Sequence, residues 1–274
     1  MFSPDGNAKR KMTKEQIKLY LRKIGMDFPI LPTIDNLKIL QSNHMQHIPF
    51  ENLDQLAGKI TSLAHNDLFD KLIKSQRGGI GLELNALYCW LLESLGFSVT
   101  SFAARGMDPR KDIPAKLHRV PCVDLGGKKY ITDIGTCRES PRMPLLLEED
   151  IEQNDGICVY KITKSTEFGR LLSQNIAGRG WQPLYCFTEE PQLDEDFSPA
   201  CFFCDQHPAS SLNKSNIISI FTADMNIAIA GDTLRYYKNG RAVKNIPIEN
   251  KPQMNKALAS VFNIVIGCAK HAGD

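Results

Sequence analysis

The chain has 274 residues, 42% of them hydrophobic and 23% charged, and 33 lysines and arginines against 31 aspartates and glutamates give a net charge of +2. This is the composition of a globular protein large enough to bury a sizeable core in one large or two modest domains. Charge so close to balance gives no support for a nucleic acid or a membrane surface as partner.

The N-terminus is polar and lacks the apolar core of a signal peptide, and no apolar run approaches the ~18 residues that a membrane span needs. We therefore expect a cytoplasmic protein with no membrane partner. The eight cysteines are then expected to be reduced thiols, many of them buried, rather than a disulfide framework.

The N-terminal third is predicted to be helical. Thr13 and Gln16 form a capping-box pattern that begins a helix ending near Gly25, and further helices are predicted over 35–45 and 67–75.

An irregular segment follows the second predicted helix, because Pro49 interrupts helical pairing. Phe50 in this segment either packs in the core or lines a cleft, and Glu51 is a candidate salt-bridge or cap partner. His44 and His47 are expected to be core or surface histidines, because no carboxylate or cysteine stands at metal-binding spacing from them.

The stretch over residues 76–96 organises the chain. Leucines at helical spacing predict an amphipathic helix over 84–95 that Gly96 ends. Before it, Arg77-Gly78-Gly79-Ile80-Gly81 is dense in glycine, which allows a sharp turn and leaves the first N–H groups of the helix open. Such an end attracts negative charge and would lower the pKa of a thiol there. Residue 81, the position best placed for a nucleophile, is glycine.

After Gly96 the pattern alternates, which predicts four strands, over 98–105, 117–125, 128–134 and 157–164. Two segments rich in turn residues, 138–156 and 181–200, are predicted to be loops. From Ile217 onward the pattern predicts successive strands with a turn at Asn239-Gly240, and then a closing helix over 255–262. Helices followed by strands predict an α+β architecture with a helical domain beside a sheet or barrel.

Gly126-Gly127 is the predicted turn of a hairpin, and it sets a register. Counting outward from the turn places Val120 opposite Asp133 and His118 opposite Gly135, so His118 and Asp133 share a face and lie diagonally adjacent. The two side chains are then close enough to hydrogen-bond. Such a pair is either a structural contact on a half-buried sheet or the base and orienting carboxylate of a nucleophilic site.

These motifs together resemble the arylamine N-acetyltransferases. That family has an Arg-Gly-Gly-x-Cys run opening a buried helix, an Ile-Pro-Phe-Glu-Asn-Leu run, a base at the start of a strand, and an Asp-Val-Gly-Phe-Gly run. The matching residues here are Arg77 to Ile80, Ile48 to Leu53, His118, and Asp133 to Cys137. Three positions depart from the family, with Gly81 in place of the catalytic cysteine, Thr136 in place of phenylalanine and Cys137 in place of glycine.

The resemblance implies a three-domain α+β fold with a cysteine-protease-like core: a helical domain over 1–97, a β-barrel domain over 98–195 that carries His118 and Asp133, and an interdomain segment with an α/β lid over 196–274. It implies His118 as base, Asp133 as orienting carboxylate and a vacant nucleophile position at Gly81. Five residues are implied to bind substrate: Phe50, Arg77, Asn85, Thr136 and Cys137.

The resemblance also implies thioester-dependent formation of an amide with an amine. Acyl-CoA or an acyl carrier protein is the donor substrate, no cofactor is tightly bound, and family members in natural-product pathways use carrier-bound acyl groups. Cys201, Cys204 and His207 look superficially like a zinc half-site, but one Cys-x-x-Cys pair is weak support and His207-Pro208-x-Ser210 fits a run of the family, so no metal is expected.

Three interpretations of the missing thiol stay open. The acyl group passes directly to an amine, with more room for a bulky acyl group where the side chain is absent. Alternatively another thiol replaces it, with Cys137 the best candidate, Cys122 second and Cys89 expected in the core. Otherwise the chain is an inactive binding module, or a variant in which a cysteine was replaced by design.

Overall fold

The structure is a computed structural model that describes residues 11–27, 29–107, 115–177 and 179–266. Within these residues there are seven α-helices, four of them before residue 75. They are α1 (Lys14–Lys23), α2 (Ile34–His47), α3 (Leu53–Leu56), α4 (His65–Phe69), α5 (Gly81–Ser94), α6 (Ser198–Gln206) and α7 (Lys251–Phe262).

The helices of the N-terminal third confirm most of the sequence prediction. The Thr13 and Gln16 capping box is present, and α2 covers the second predicted helix. The helix predicted over 67–75 is α4 followed by a π-helical turn over Asp70–Lys74. The prediction of an irregular segment after α2 is wrong in part, because Phe50–Glu51 forms a short strand, β1, that pairs with a strand far along the chain.

An antiparallel sheet of eight strands follows the helices. The strands are β2 (Ser98–Gly106), β3 (His118–Leu125), β4 (Lys128–Ile131), β5 (Leu145–Leu146), β6 (Glu152–Asn154), β7 (Cys158–Ser165), β8 (Gly169–Ile176) and β9 (Gln182–Gln192). Their order in the sheet is β5-β4-β3-β2-β9-β8-β7-β6.

The two edges of this sheet nearly meet. The Gln153 side chain on β6 accepts from Leu146 N at 2.7 Å and donates to Leu146 O at 2.9 Å on β5. One amide therefore supplies the hydrogen bonds that a neighbouring strand would make, and the sheet forms a nearly closed barrel.

The prediction for the barrel strands is confirmed for β2, β3 and β7, but it is wrong in three places. Strand β4 ends at Ile131 rather than at residue 134, and the loop predicted over 181–200 contains the longest strand, β9. Turn-forming and acidic residues in β9 hid its alternation, because one of its faces is solvated. The loop predicted over 138–156 contains β5 and β6.

A second antiparallel sheet lies in the C-terminal part of the chain. It has the order β1-β10-β11-β12-β13, with β10 (Ile217–Phe221), β11 (Asn226–Ala230), β12 (Thr233–Lys238) and β13 (Arg241–Pro247). The predicted turn at Asn239-Gly240 is confirmed, and both residues have positive φ angles, of 49° and 67°. Helix α7 packs on this sheet through Leu258 and Phe262 and begins earlier than predicted, after the N-cap Asn250.

Helix α5 is the centre of the molecule and is not amphipathic. Every residue from Gly81 to Leu92 is buried, because the other helices cover one side and strands β2 and β3 cover the other. An all-round apolar helix buried in this way fixes the position of its own N-terminus.

Other features concern only the described part of the chain. None of its helices is long and apolar enough to cross a membrane. Its seven cysteines are reduced and form no disulfide, as predicted, and Cys268 lies outside the described residues. The division into three domains at residues 97 and 195 stays a prediction.

Candidate active site

A cleft of about 500 Å³ opens at the N-terminus of α5. Gly81 from that helix, His118 from the start of β3 and residues 135–137 from the loop after β4 all reach it. The rest of the wall is mostly apolar and includes Phe50, Ile80, Leu82, Leu117, Phe203 and Leu212. Three segments that are far apart in the sequence therefore meet in a single cleft.

The predicted hydrogen bond between His118 and Asp133 is confirmed, with 2.7 Å between His118 Nε2 and Asp133 Oδ2. The hairpin has the predicted register from Leu125 and Lys128 to Cys122 and Ile131. Beyond that pair only Thr132 N still bonds across, to Pro121 O at 2.9 Å. The chain then leaves the ladder, which turns the Asp133 side chain toward His118.

Asp133 is fully buried, and each of its oxygens has partners. Oδ1 accepts from Asn85 Nδ2 and from Gly135 N, both at 2.8 Å. Burial alone would raise the pKa of the Asp133 carboxyl, but the His118 charge and the hydrogen bonds to the carboxylate outweigh burial and lower this pKa. The carboxylate is therefore ionised at neutral pH.

The ionised carboxylate also selects the tautomer of His118. A carboxylate only accepts, so Nε2 carries the hydrogen and Nδ1 carries the lone pair. The His118 side chain is 15% exposed, whereas Asp133 is 0% exposed. The imidazole is thus an oriented base beside the cleft, held from behind by a carboxylate.

Asn85 and Arg77 were both predicted to bind substrate, and neither lines the cleft. Asn85 is fully buried; besides Asp133 it donates to Arg119 O at 2.7 Å and accepts from Ile134 N at 3.1 Å. Asn85 therefore positions the strand ends that carry His118 and Asp133. This corrects the prediction that its side chain contacts substrate.

Arg77 lies in a partly buried ion cluster instead. Its guanidinium contacts Glu51 at 2.7 Å and Asp54 at 3.0 Å. Lys71 continues the cluster, with 2.8 Å to Asp54 and 2.7 Å to Glu83. Burial would lower the pKa of Arg77, but the two carboxylates raise it, so the cation persists. The cluster fixes the turn before α5, and Glu51 is the salt-bridge and cap partner that the sequence left open.

Phe50, Thr136 and Cys137 are on the cleft wall, and their predicted role in substrate binding stays a prediction. Thr136 N donates to Ser140 Oγ at 2.9 Å. Cys137 has a φ of 53°, in the left-handed region that disfavours a Cβ, and its thiol donates to Ser219 Oγ at 3.3 Å.

Gly81 begins α5 in close contact with Gly135. A Cβ on Gly81 would lie 3.1 Å from the Gly135 carbonyl carbon and closer still to its oxygen. A Cβ on Gly135 would lie 2.6 Å from Asn85 Nδ2. The two backbones fill the space that a side chain at residue 81 would need, so the expectation that its absence leaves room for a bulky acyl group is wrong.

Three thiols were candidates to replace a nucleophile at residue 81, and the structure separates them. Cys89 is buried on α5, as predicted. Cys122 points into the barrel core, where burial raises its pKa to about 12. Cys137 alone of the three lies on the cleft, and burial raises the pKa of its thiol as well. Cys122 and Cys137 are therefore neutral thiols at neutral pH.

Tyr185 is the site residue that the sequence did not indicate. Its ring packs against the His118 ring, with centroids 5.3 Å apart. Burial and the Asp133 charge raise the pKa of Tyr185 well above its usual value, so the phenol stays neutral. Tyr185 was missed because β9 was predicted to be a loop.

Comparison with known proteins adds to this geometry. A family model described as N-acetyltransferase matches residues 33–271. The arylamine N-acetyltransferase of Mycolicibacterium smegmatis is 32% identical over 254 residues, which cover 90% of this chain and 91% of that protein. The Salmonella typhimurium enzyme is 27% identical over 256 residues, 93% of this chain and 89% of that protein.

Solved structures give the same result. The arylamine N-acetyltransferase from Salmonella typhimurium superposes with a TM-score of 0.89 at 26% identity and covers 96% of each chain. The Mycobacterium marinum enzyme in complex with CoA has a TM-score of 0.85 at 29% identity, over 90% of this chain and 92% of that one. These likenesses confirm the predicted α+β fold. The chain, with its helix-borne cleft and its His118 and Asp133 pair, belongs to the N-acetyltransferase family.

Proposed function

We propose that this protein transfers an acyl group from a thioester directly to an amine, without a covalent acyl-enzyme intermediate. The observation that carries the proposal is the 2.7 Å contact between His118 and Asp133 beside a cleft whose helix start, at Gly81, bears no side chain. By the resemblance to the arylamine N-acetyltransferases, Gly81 occupies the position of their nucleophilic cysteine. A glycine forms no thioester, so the base must act on the amine itself.

The reaction balances with His118 as the only proton carrier. The amine nitrogen attacks the thioester carbonyl carbon while Nδ1 of His118 takes a proton from the amine. The carbonyl oxygen becomes an oxyanion, the C–S bond then breaks, and the leaving thiolate takes the proton from Nδ1. Asp133 stays ionised and stabilises the imidazolium throughout.

The start of α5 is the best place for the oxyanion. The first N–H groups of an α-helix have no acceptor within the helix, and the helix dipole favours negative charge there. Donors that are fixed before the reaction stabilise the oxyanion without reorganisation. Positioning of both reactants can contribute on the order of 7 to 11 kcal/mol, which makes a route without a covalent intermediate physically reasonable.

The substrates follow by analogy with the relatives. Their names specify arylamines, and one solved relative is a complex with CoA, so we propose an aromatic amine as acceptor and acyl-CoA as donor. The mostly apolar cleft wall favours an uncharged aromatic ring. Delivery of the acyl group by a carrier protein, as in natural-product pathways, is the second proposal for the donor.

Two other interpretations make different predictions. If Cys137 acts as nucleophile, its thiol must ionise against the burial that raises its pKa. If the chain is an inactive binding module, natural or made by replacing a cysteine, it binds CoA and amine without turnover.

The test is amide formation from acetyl-CoA and an aromatic amine, with release of free CoA followed in parallel. We expect turnover by the parent protein, loss of about 10²- to 10⁴-fold in His118→Ala, and little change in Cys137→Ala. Intact-mass measurement after incubation with acetyl-CoA should show no acyl adduct. An adduct that disappears in Cys137→Ala would overturn direct transfer, and binding without turnover would establish the inactive module.

A further inference from the structure

Residues 133–140, here called the cleft loop, connect Asp133 to the cleft wall. The loop begins with the carboxylate that holds His118, supplies Gly135, Thr136 and Cys137 to the cleft, and ends at the buried Ser140. Within the loop, Ser140 Oγ lies 2.9 Å from Thr136 N and 2.8 Å from Thr136 Oγ1. The loop also holds Cys137 at a φ of 53°, so its conformation must be held from outside.

Both ends of the cleft loop bond to one side chain, Gln41 on α2. Immediately before the loop, the Thr132 hydroxyl donates to Gln41 Oε1 at 2.7 Å. Immediately after it, Pro141 O accepts from Gln41 Nε2 at 2.7 Å. The loop and α2 are about 90 residues apart in the chain, as the separations of 91 and 100 residues in these two bonds show.

The orientation of the Gln41 amide is determined by its partners. Pro141 O can only accept, so the amide nitrogen must face it and the amide oxygen must face the Thr132 hydroxyl. Thr132 Oγ1 also lies 3.2 Å from Tyr88 OH on α5. Gln41 is 0% exposed, so neither bond is open to bulk water.

We propose that Gln41 is a positioning residue for the active site, which sets the separation between the two ends of the cleft loop. Through that separation it determines where Asp133 meets His118 and how the Cys137 thiol is presented. Its effect on catalysis rests on the proposed function, but its effect on the loop does not.

The Cys137 thiol reports on the loop without any turnover. Among the cysteines that the structure describes, Cys137 alone is half-buried, and the others are buried. Labelling with iodoacetamide, followed peptide by peptide in a mass spectrometer, therefore measures opening of the cleft loop. Cys122 and Cys158, buried in the barrel core, measure loosening of the whole protein in the same sample.

We expect Gln41→Met to raise the labelling rate at Cys137 about tenfold, because two hydrogen bonds of a fully buried group are lost. Rates at Cys122 and Cys158 should stay within about twofold of the parent. The matched control is Gln46→Met on the same helix, since within the described residues the Gln46 side chain bonds only to Ser42, one turn away. In this control, Cys137 should be labelled at the same rate as in the parent.

Gln41→Glu provides a rescue. The neutral carboxyl of this variant can still donate a hydrogen bond to Pro141 O, whereas the ionised carboxylate has no hydrogen to donate. Burial raises the pKa of this carboxyl, so the neutral form persists at mildly acidic pH. At about pH 5 the labelling rate of Cys137 in Gln41→Glu should be close to that of the parent, and by about pH 9 it should be several-fold higher than that of the parent at the same pH. Should Gln41→Met not fold, Thr132→Val removes one of the two bonds to Gln41, together with the contact to Tyr88, and leaves the bond to Pro141 O, so it should give a smaller rise.

Two results would overturn the proposal: parent-like labelling of Cys137 in Gln41→Met, or an equal increase at Cys122 and Cys158. In the acyl-transfer assay the same variant should lower kcat more than it raises KM. An inactive parent with the expected labelling pattern would reject the proposed function while leaving the role of Gln41 in the loop intact.

Discussion

Replacing Gly81 by alanine tests the closest backbone contact of the site. The added Cβ would lie within 3.1 Å of the Gly135 carbonyl carbon, 3.3 Å of its Cα, and closer to its oxygen than real Cβ atoms approach. The neighbouring atoms are backbone, so no side-chain rotation relieves the contact. Either α5 or the cleft loop must move.

The expected cost follows from two opposing effects. Overpacking in a well-packed interior costs about 1–3 kcal/mol, and alanine recovers up to about 1 kcal/mol of helix propensity relative to glycine. A net loss of about 1–2 kcal/mol corresponds to a fall in Tm of roughly 2–4 °C, because the unfolding entropy of a protein of this size is about 0.6 kcal/mol/K. Differential scanning calorimetry at neutral pH measures it.

Gly106→Ala is the matched control. Gly106 lies at the end of β2 and has no positive φ, and no atom of the described residues lies within 4 Å of an added Cβ. We expect its Tm to stay within about 1 °C of the parent, as for a surface substitution. An unchanged Tm in Gly81→Ala would refute the claim that Gly135 fills the space beside Gly81.

Two further predictions concern buried charges. Asp133→Asn should reduce the loss of stability that the parent shows as the pH is lowered. Folding lowers the pKa of Asp133, so the ionised carboxylate stabilises the fold above its unfolded pKa, and this stabilisation is lost as the pH falls through the lower folded pKa. Tm measured from pH 3 to 7 for the parent and the variant tests this. Arg77→Met should lower the free energy of unfolding, measured in urea, by about 3–5 kcal/mol, because Glu51 is left buried without the guanidinium. The control Lys59→Met removes a 63% exposed partner of Asp54 and should lower it by less than about 1 kcal/mol. Equal losses of stability in Arg77→Met and Lys59→Met would contradict the claim that the ion pairs of Arg77 stabilise the fold.

Local sequence patterns predicted the elements whose signals are short-range. The Gly126-Gly127 turn set the hairpin register, and from that register the contact between His118 and Asp133 followed, because side-chain direction in a strand has period two. Helix α1 and the C-terminal hairpin were likewise predicted, from a capping box and from turn residues.

Long-range packing decided what the local patterns left open or concealed. Strand β9 carries turn formers and acidic residues and becomes a strand through its pairing with β2 and β8, so the sequence did not indicate Tyr185. Arg77 and Asn85 were predicted to bind substrate, but their side chains bond to Glu51 and Asp133. Both partners come from other parts of the chain, so the local pattern around Arg77 and Asn85 did not indicate these bonds.

By itself, the sequence determined that a glycine stands where the helix begins and that an imidazole and a carboxylate share one face of a hairpin, since both depend on residue identity and local geometry. Only the tertiary structure decided that Gly135 fills the space beside Gly81 and that Gln41 holds both ends of the cleft loop. Contacts of this kind depend on where whole helices and strands pack against one another, and no periodicity within a single segment encodes that distance.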